Sequence, residues 1–172
     1  LTITSGVSGE SLSLTGSGVL GAASAGTQTI TNNNTLAIAD GSGGLASNYT
    51  LSGATINVTI IPRTLNVTLS REYDGTTSVS GALLTPTFDS LQGGETLALS
   101  GTGSVSTANV GSSKAVSLGS IALVAGSGNP SNYSLNSATM NVTQRVINLN
   151  GIRAYDATTN VLSSDINTFG NI

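Results

Sequence analysis

The polar side chains with the greatest chemical capacity fall into four short clusters. Two clusters combine a guanidinium, a phenol and a carboxylate within four residues, and two combine an amide with a phenol. Such groups beside an aromatic ring can hydrogen-bond the hydroxyls of a saccharide. The clusters are Arg71, Tyr73, Asp74 and Gly75; Arg153, Tyr155 and Asp156; Asn48 and Tyr49; and Asn132 and Tyr133.

A structural interpretation competes with saccharide binding. An Asp side chain can accept hydrogen bonds from backbone N–H groups two or three residues on, Gly75 allows a left-handed backbone, and a Tyr can anchor the turn on a core. In the other two clusters, the Asn can cap the preceding Gly-rich turn while the Tyr packs over the end of a sheet. Since each cluster occurs twice, and structure must recur where a binding site need not, we predict structural motifs. A sugar or partner site is the alternative.

The composition excludes several kinds of chemistry. The chain has no His and no Cys, so it can build no imidazole base, thiolate nucleophile or Cys/His zinc site. Its eight acidic residues are dispersed, whereas calcium sites gather several oxygen ligands. We therefore predict that the protein is not an enzyme and has no catalytic residues, cofactor or metal. A net charge of −3 argues against nucleic acid, and no apolar run is long enough to predict membrane insertion.

The elements that must position the clusters are β-strands. Ser, Thr, Asn and Gly make up 88 of the 172 residues, and apolar residues alternate with them. Leu65, Val67 and Leu69, for example, alternate with Asn66 and Thr68. Alternation places one face of a strand on a core and the other toward water. Gly- and Ser-rich segments between the runs indicate turns, and no clear helical period occurs.

The chain also repeats itself at a spacing of 81 to 85 residues. All four Tyr and both Phe occupy matched positions. The matched segments are 9–16 with 94–101, 48–59 with 132–143, 71–77 with 153–159, and 87–88 with 168–169.

The phase of the repeat predicts the domain organisation. Residues 63–144 form a complete repeat unit, 1–62 are the C-terminal part of one unit, and 145–172 are the N-terminal part of a further unit. Joining 145–172 to the 1–62 segment of a following copy restores a complete unit. The chain is then either a segment of a longer repetitive polypeptide or a protomer that completes its neighbour by strand addition. An arbitrary boundary is the third explanation.

Several motifs in 63–144 resemble the YDG domain, which recurs in tandem in large bacterial exoproteins similar to filamentous haemagglutinin. They are Pro-Arg-Thr-Leu at 62–65, Tyr-Asp-Gly-Thr-Thr at 73–77, Ala-Asn-Val-Gly at 108–111, Lys-Ala-Val at 114–116 and Asn-Tyr-Ser-Leu at 132–135. The other unit departs from the pattern: Ala157 replaces the Gly, and no Ala-Asn-Val-Gly occurs near 23–26. The resemblance implies an extracellular β-rich repeat without enzyme activity.

Together these observations predict an all-β fold of tandem small β-sandwich or β-grasp-like repeat domains in an elongated chain. The expected function is that of a structural repeat of an extracellular bacterial filament or adhesin stalk, assembling head to tail through β-strand pairing. The alternative is a carbohydrate-binding adhesin or biofilm-matrix module. The expected partners are copies of the chain itself, with surface glycans as further candidates. The expected location is the bacterial cell surface or the secreted fraction.

Overall fold

The computed structural model describes residues 2–51 and 56–170, and this part of the chain is all-β, as predicted. It contains four single-turn 3-10 helices and no α-helix. The strands are β1 (Thr2–Thr4), β2 (Ser11–Thr15), β3 (Val19–Leu20), β4 (Gly26–Asn32), β5 (Ala37–Asp40), β6 (Asn57–Ile60), β7 (Arg63–Glu72), β8 (Ser78–Ser80), β9 (Thr87–Phe88), β10 (Leu97–Ser100), β11 (Thr102–Val105), β12 (Gly111–Ser117), β13 (Ala122–Ala125), β14 (Tyr133–Thr143), β15 (Asn148–Gly151) and β16 (Ile166–Gly170). The 3-10 turns are Ala46–Asn48, Gly81–Leu83, Pro130–Asn132 and Ser163–Asp165.

The chain divides into two compact units. Unit 1 comprises Leu1–Leu65, Leu91–Leu97 and Ala125–Asn136, and unit 2 comprises Asn66–Ser90, Ala98–Val124 and Ser137–Ile172. This division follows compactness rather than sequence similarity, so the predicted repeat boundaries stay a prediction.

Unit 1 contains two three-stranded sheets, with strand orders β1-β2-β5 and β3-β4-β6. In β2, Leu12 is only 2% exposed. Strand β2 ends at a tight turn in which Gly16 has φ +82° and an added Cβ would lie 2.0 Å from the carbonyl oxygen of Thr35. The turn therefore needs glycine for its conformation and for its space.

The largest sheet has six strands in the order β8-β11-β12-β14-β7-β9. In β7, Val67 and Leu69 are 2% and 0% exposed, while Thr68 and Ser70 between and beside them face solvent. The predicted alternation along β7 is therefore confirmed. The other buried apolar residues of unit 2 are Val79, Leu99, Val105, Ile121, Ala138, Met140 and Val142.

Strands β7 and β14 run parallel within unit 2. Ser137 Oγ donates a hydrogen bond to Asn66 Oδ1 at 2.8 Å, and further along both strands the N–H of Tyr73 donates to the carbonyl of Thr143 at 2.9 Å. The two contacts join residues 71 and 70 positions apart. In an antiparallel pair, residue numbers increase along one strand while those of their partners decrease along the other, so the separation would not stay constant. The C-terminal residues of β7 and β14 thus lie at the same end of the sheet.

Strands β15 and β16 pair with each other in the same register as β7 and β9. Val67 lies opposite Phe88 in the β7–β9 pair, and Leu149 lies opposite Phe169 in the β15–β16 pair. These positions are matched in the internal repeat. The backbone of residues 148–170 therefore starts the same arrangement that begins at β7.

Among the described residues, no helix has the length and apolar character needed to cross a membrane.

Candidate functional site

The Arg71 turn (residues 71–78) is closed by one carboxylate and one guanidinium. Asp74 Oδ1 accepts hydrogen bonds from the backbone N–H of Thr76 at 2.9 Å and from the Thr76 hydroxyl at 3.0 Å. Arg71 Nη1 lies 3.1 Å from Asp74 Oδ2 and donates to the carbonyl of Ser78 at 2.5 Å. Arg71 Nη2 donates to the carbonyl of Thr76. These bonds tie the loop to itself, which is the geometry of an Asx turn with an added cation.

The charges of the Arg71 turn are directed into the loop rather than toward a ligand. The backbone N–H of Thr76, together with the hydroxyl of the same residue and the guanidinium of Arg71, holds the pKa of Asp74 below its usual value. The Arg71 side chain is 10% exposed, and its Nε has no hydrogen-bond partner in the described part of the chain. The carboxylate therefore stays ionised at neutral pH, and the guanidinium is committed to the loop.

The Arg153 turn (residues 153–160) repeats this arrangement. Asp156 Oδ1 accepts from the backbone N–H of Thr158 at 3.0 Å and from its hydroxyl at 2.9 Å, and Arg153 Nη1 lies 3.4 Å from Asp156 Oδ2. Ala157 replaces glycine at the left-handed position, with φ +59°. Its counterpart Gly75 has φ +76°. The side-chain bonds are thus kept although the residue best suited to the backbone is not.

The two tyrosines of these turns differ in burial. Tyr73 is 38% exposed and Tyr155 is 93% exposed. We expected both to anchor their turns on a core. Tyr73 is only partly covered, and at the almost fully exposed Tyr155 the expectation is wrong. The reason is the neighbouring strand: the Tyr73 backbone is bonded to Thr143 at the end of β14, whereas within the described residues β15 pairs with β16 alone.

The other two tyrosines form carboxylate pairs that the sequence analysis missed. In unit 1, the hydroxyl of Tyr133 donates to Glu95 Oε2 and that of Tyr49 donates to Glu10 Oε2. Each carboxylate stabilises the neutral phenol, and this hydrogen bond raises the pKa of Tyr133 and of Tyr49. The internal repeat could have indicated these pairs, since both Glu and both Tyr occupy matched repeat positions.

The asparagines beside these tyrosines do not cap the preceding turns, which corrects our expectation. Asn129 Oδ1 accepts from the N–H of Ser131 at 3.0 Å and so caps the turn before Tyr133. A cap must precede the N–H groups that it accepts from, and Asn132 is the last residue of its turn. Asn132 Oδ1 accepts instead from the N–H of Ala25 at 2.8 Å.

Two surface depressions lie near these residues. The first, the Asn132 cleft of unit 1, has a volume of about 400 Å³ and is lined by Ala23, Ser24, Ala25, Ile60, Ile61, Arg63, Gln92, Glu95, Asn132 and Tyr133. The second, the Val110 patch of unit 2, has a volume of about 760 Å³ and is lined by Tyr73, Asp74, Gly75, Val110, Gln144, Arg145, Val146 and Ile147. The Val110 patch is the more apolar of the two. Val110, Val146 and Ile147 are 50%, 69% and 63% exposed.

The arrangement as a whole stabilises turns and strand ends. In residues 2–51 and 56–170, no group of three or more His, Cys, Asp or Glu could hold a metal ion. The acidic side chains of Glu95 and Asp74 are bonded to a phenol and to a backbone turn. These partners tie both side chains to the fold.

The strands and turns of the described residues belong to an all-β fold. A YDG domain is found at residues 57–140. This match includes strands β6 to β13, most of β14 and the Arg71 turn. No curated protein and no solved structure shows a significant match to the chain.

Proposed function

We propose that the chain is a structural repeat of an extracellular bacterial filament or adhesin stalk, in which copies join head to tail through β-strand pairing. Residues 145–172 of one copy supply the first part of a domain, and residues 1–62 of a following copy supply the rest. The internal repeat, the YDG domain at 57–140 and the all-β fold support this proposal.

The loss of burial at matched positions carries the proposal. Val67 is 2% exposed, and its counterpart Leu149 is 52% exposed; Val79 is 0% exposed, and its counterpart Val161 is 66% exposed. Two positions that belong to the core of unit 2 thus face solvent at Leu149 and Val161. Exposed apolar side chains favour a partner that covers them.

Strand β6, in the matched segment near the N-terminus, also has apolar side chains that are less buried than their counterparts. Val142 of β14 is 2% exposed and its counterpart Val58 of β6 is 39% exposed. Met140 is 0% exposed, and its counterpart Ile56 is half-buried. In unit 2 these β14 side chains belong to the same core as those of β7. The residues with reduced burial on β6 and on β15 are therefore counterparts of core residues on two strands, β14 and β7, that lie side by side in unit 2.

The strand edges point to the same pairing. Strand β14 is flanked by β12 and β7, whereas its counterpart β6 is flanked by β4 alone in the described part of the chain. Open edges present unpaired N–H and C=O groups that template strand addition. In unit 2 the N–H of Tyr73 donates to the carbonyl of Thr143. The corresponding bond between copies runs from Tyr155 N–H to the carbonyl of Thr59, with β15 and β6 parallel.

Sedimentation velocity and electron microscopy of the purified chain test this assembly. We expect linear oligomers whose length increases with protein concentration. Leu149→Asp places a charge among the apolar side chains that the partner strand covers, so it should leave monomers. Leu83→Asp is the matched control, because Leu83 is 85% exposed and its repeat counterpart is Asp165.

The control variant should assemble as the unchanged chain does. Circular dichroism should show that Leu149→Asp retains the β-structure of the YDG domain. Monomers of the unchanged chain at every concentration would contradict the head-to-tail proposal, and so would equal assembly of Leu149→Asp.

The extracellular location has a separate test. Antibodies raised against the purified chain should label intact, unpermeabilised cells of the bacterium that makes it, in a pattern of surface fibres. Labelling that requires permeabilisation would contradict this part of the proposal.

A further inference from the structure

One contact in unit 1 is a template for a second contact between copies. Asn132 Oδ1 accepts a hydrogen bond from the backbone N–H of Ala25 at 2.8 Å. Strands β4 and β12 begin at Gly26 and Gly111, which are 85 residues apart, so Ala25 corresponds to Val110. In the internal repeat, Asn132 corresponds to Asn48 at a spacing of 84. The chain thus carries a second donor position at Val110 and a second acceptor at Asn48.

The residues around the donor N–H are covered at Ala25 and exposed at Val110. Beside Ala25, the Asn132 cleft is lined on its other side by Gln92, Glu95 and Tyr133. Around Val110, the apolar side chains of the Val110 patch remain exposed. The positions that correspond to Gln92, Glu95 and Tyr133 do not line the Val110 patch. The Val110 patch therefore corresponds to the Ala25 side of the Asn132 cleft, and it lacks residues at the positions of Gln92, Glu95 and Tyr133.

The corresponding cover occurs elsewhere in unit 1. The counterparts of the covering residues are Val7, Glu10 and Tyr49, and with Asn48 they form what we term the Asn48 end. The Tyr49–Glu10 pair has the same hydrogen bond as the Tyr133–Glu95 pair. The backbone loop also agrees, since the N–H of Glu10 donates to the carbonyl of Val7 as that of Glu95 donates to Gln92.

The Asn48 end presents its side chains to solvent. Asn48 is exposed, and Val7 is 52% exposed. An apolar Val at the position of Gln92 suits the apolar Val110 patch better than the more polar Asn132 cleft. Burial of Val7 against Val110 and Val146 would remove apolar surface of both partners from water.

We infer that the Val110 patch binds the Asn48 end of a second copy of this chain, with Asn48 Oδ1 accepting from the N–H of Val110. This inference rests on the proposed head-to-tail assembly and adds a contact beside the paired strands. It fixes the orientation of successive copies, since strand pairing and the Asn48 contact must be satisfied together.

Cysteine cross-linking tests the contact directly, because the natural chain contains no Cys. Chains with Val110→Cys are mixed with chains with Asn48→Cys and treated with a short bis-maleimide. We expect a mixed dimer at several times the yield obtained when Asn33→Cys, another exposed position, replaces Asn48→Cys. Ala25→Cys with Asn132→Cys in one chain is the positive control, and it should close within the chain.

A second variant tests the hydrogen bond itself. Asn48→Ala should weaken the association of copies about threefold to tenfold, the range expected for one lost hydrogen bond, while Asn33→Ala should leave it unchanged. Linear oligomers in sedimentation without the mixed dimer, while the positive control closes, would overturn this inference and leave the strand pairing intact. Absence of both oligomers and the mixed dimer would overturn both proposals.

Discussion

The hydroxyl of Tyr133 donates to the carboxylate of Glu95, 38 residues earlier in the chain. The same hydroxyl accepts a hydrogen bond from the backbone N–H of Gln92 at 3.2 Å. Tyr133 is 7% exposed, so its ring packs in the interior of unit 1 while its hydroxyl fixes the loop that carries Glu95. One side chain thus joins the start of β14 to the turn before β10.

The contribution of the Tyr133 hydroxyl to the stability of the folded chain should depend on pH. Bonding to Glu95 raises the pKa of Tyr133 above its ordinary value of 10.0. The folded chain therefore holds this proton more tightly than the unfolded chain, and the stabilisation is complete below about pH 10 and lost as the pH rises through the folded value. Chemical unfolding should show Tyr133→Phe to be less stable than the unchanged chain at neutral pH, with a smaller difference above about pH 10. A difference that grows with alkaline pH would contradict the assignment.

The contribution of Asp74 to stability should have the opposite pH dependence, and it should change at acid pH. The N–H of Thr76 is the main cause that lowers the pKa of Asp74 below 3.8. The stabilisation is therefore present above the unfolded value and lost as the pH falls through the lower folded value. Asp74→Asn keeps an acceptor but removes the charge. Unfolding measurements should show this variant to be less stable at neutral pH and to approach the unchanged chain as the solution becomes strongly acidic. An unchanged gap at acid pH would show that the charge of Asp74 does not contribute.

The left-handed position in each turn gives a pair of opposed substitutions. Ala157 has φ +59°, a conformation that costs a side-chain-bearing residue about 1–2 kcal/mol. Ala157→Gly should therefore stabilise residues 153–160 by about 1 kcal/mol, as measured by amide hydrogen exchange. Gly75→Ala should destabilise the Arg71 turn by a similar amount. An added Cβ at Gly75 meets only the Tyr73 hydroxyl at 3.9 Å, so conformation rather than crowding is the cause. Shifts of the same sign at both positions would contradict this account.

The core of β7 should dominate the stability of unit 2. Leu69 is 0% exposed, and truncation of a buried leucine costs about 2–5 kcal/mol. Leu69→Ala should therefore lower the free energy of unfolding by that amount in urea titrations. Leu83→Ala is the matched control at an 85% exposed site and should stay within about 0.5 kcal/mol. Equal losses in the two variants would show that the core lies elsewhere.

Local patterns in the sequence were enough to predict an all-β fold, strands such as β7 and one class of turn. The alternation of Leu65, Val67 and Leu69 predicts a half-buried strand because side-chain direction reverses at each residue. The Asp74 turn is also local, since donor and acceptor are two residues apart. Both features depend on neighbours along the chain and not on the order of strands in a sheet.

Contacts that depend on topology could not be predicted in the same way. The Tyr133–Glu95 pair joins residues 38 positions apart, and only the strand arrangement brings them together. Asn132 was expected to cap its own turn, but its partner is Ala25, 107 residues away. The internal repeat could have indicated both pairs as recurring sets, but matched spacing alone does not say which residues touch.

Amide hydrogen exchange at the open edge tests the central claim most directly. The N–H of Tyr155 should be protected when β15 pairs with β6 of a second copy, and exposed when the chain is monomeric. We predict that protection of Tyr155 increases with protein concentration in the unchanged chain and stays low in Leu149→Asp. Rapid exchange of Tyr155 at every concentration, in samples that sedimentation shows to be assembled, would contradict the account.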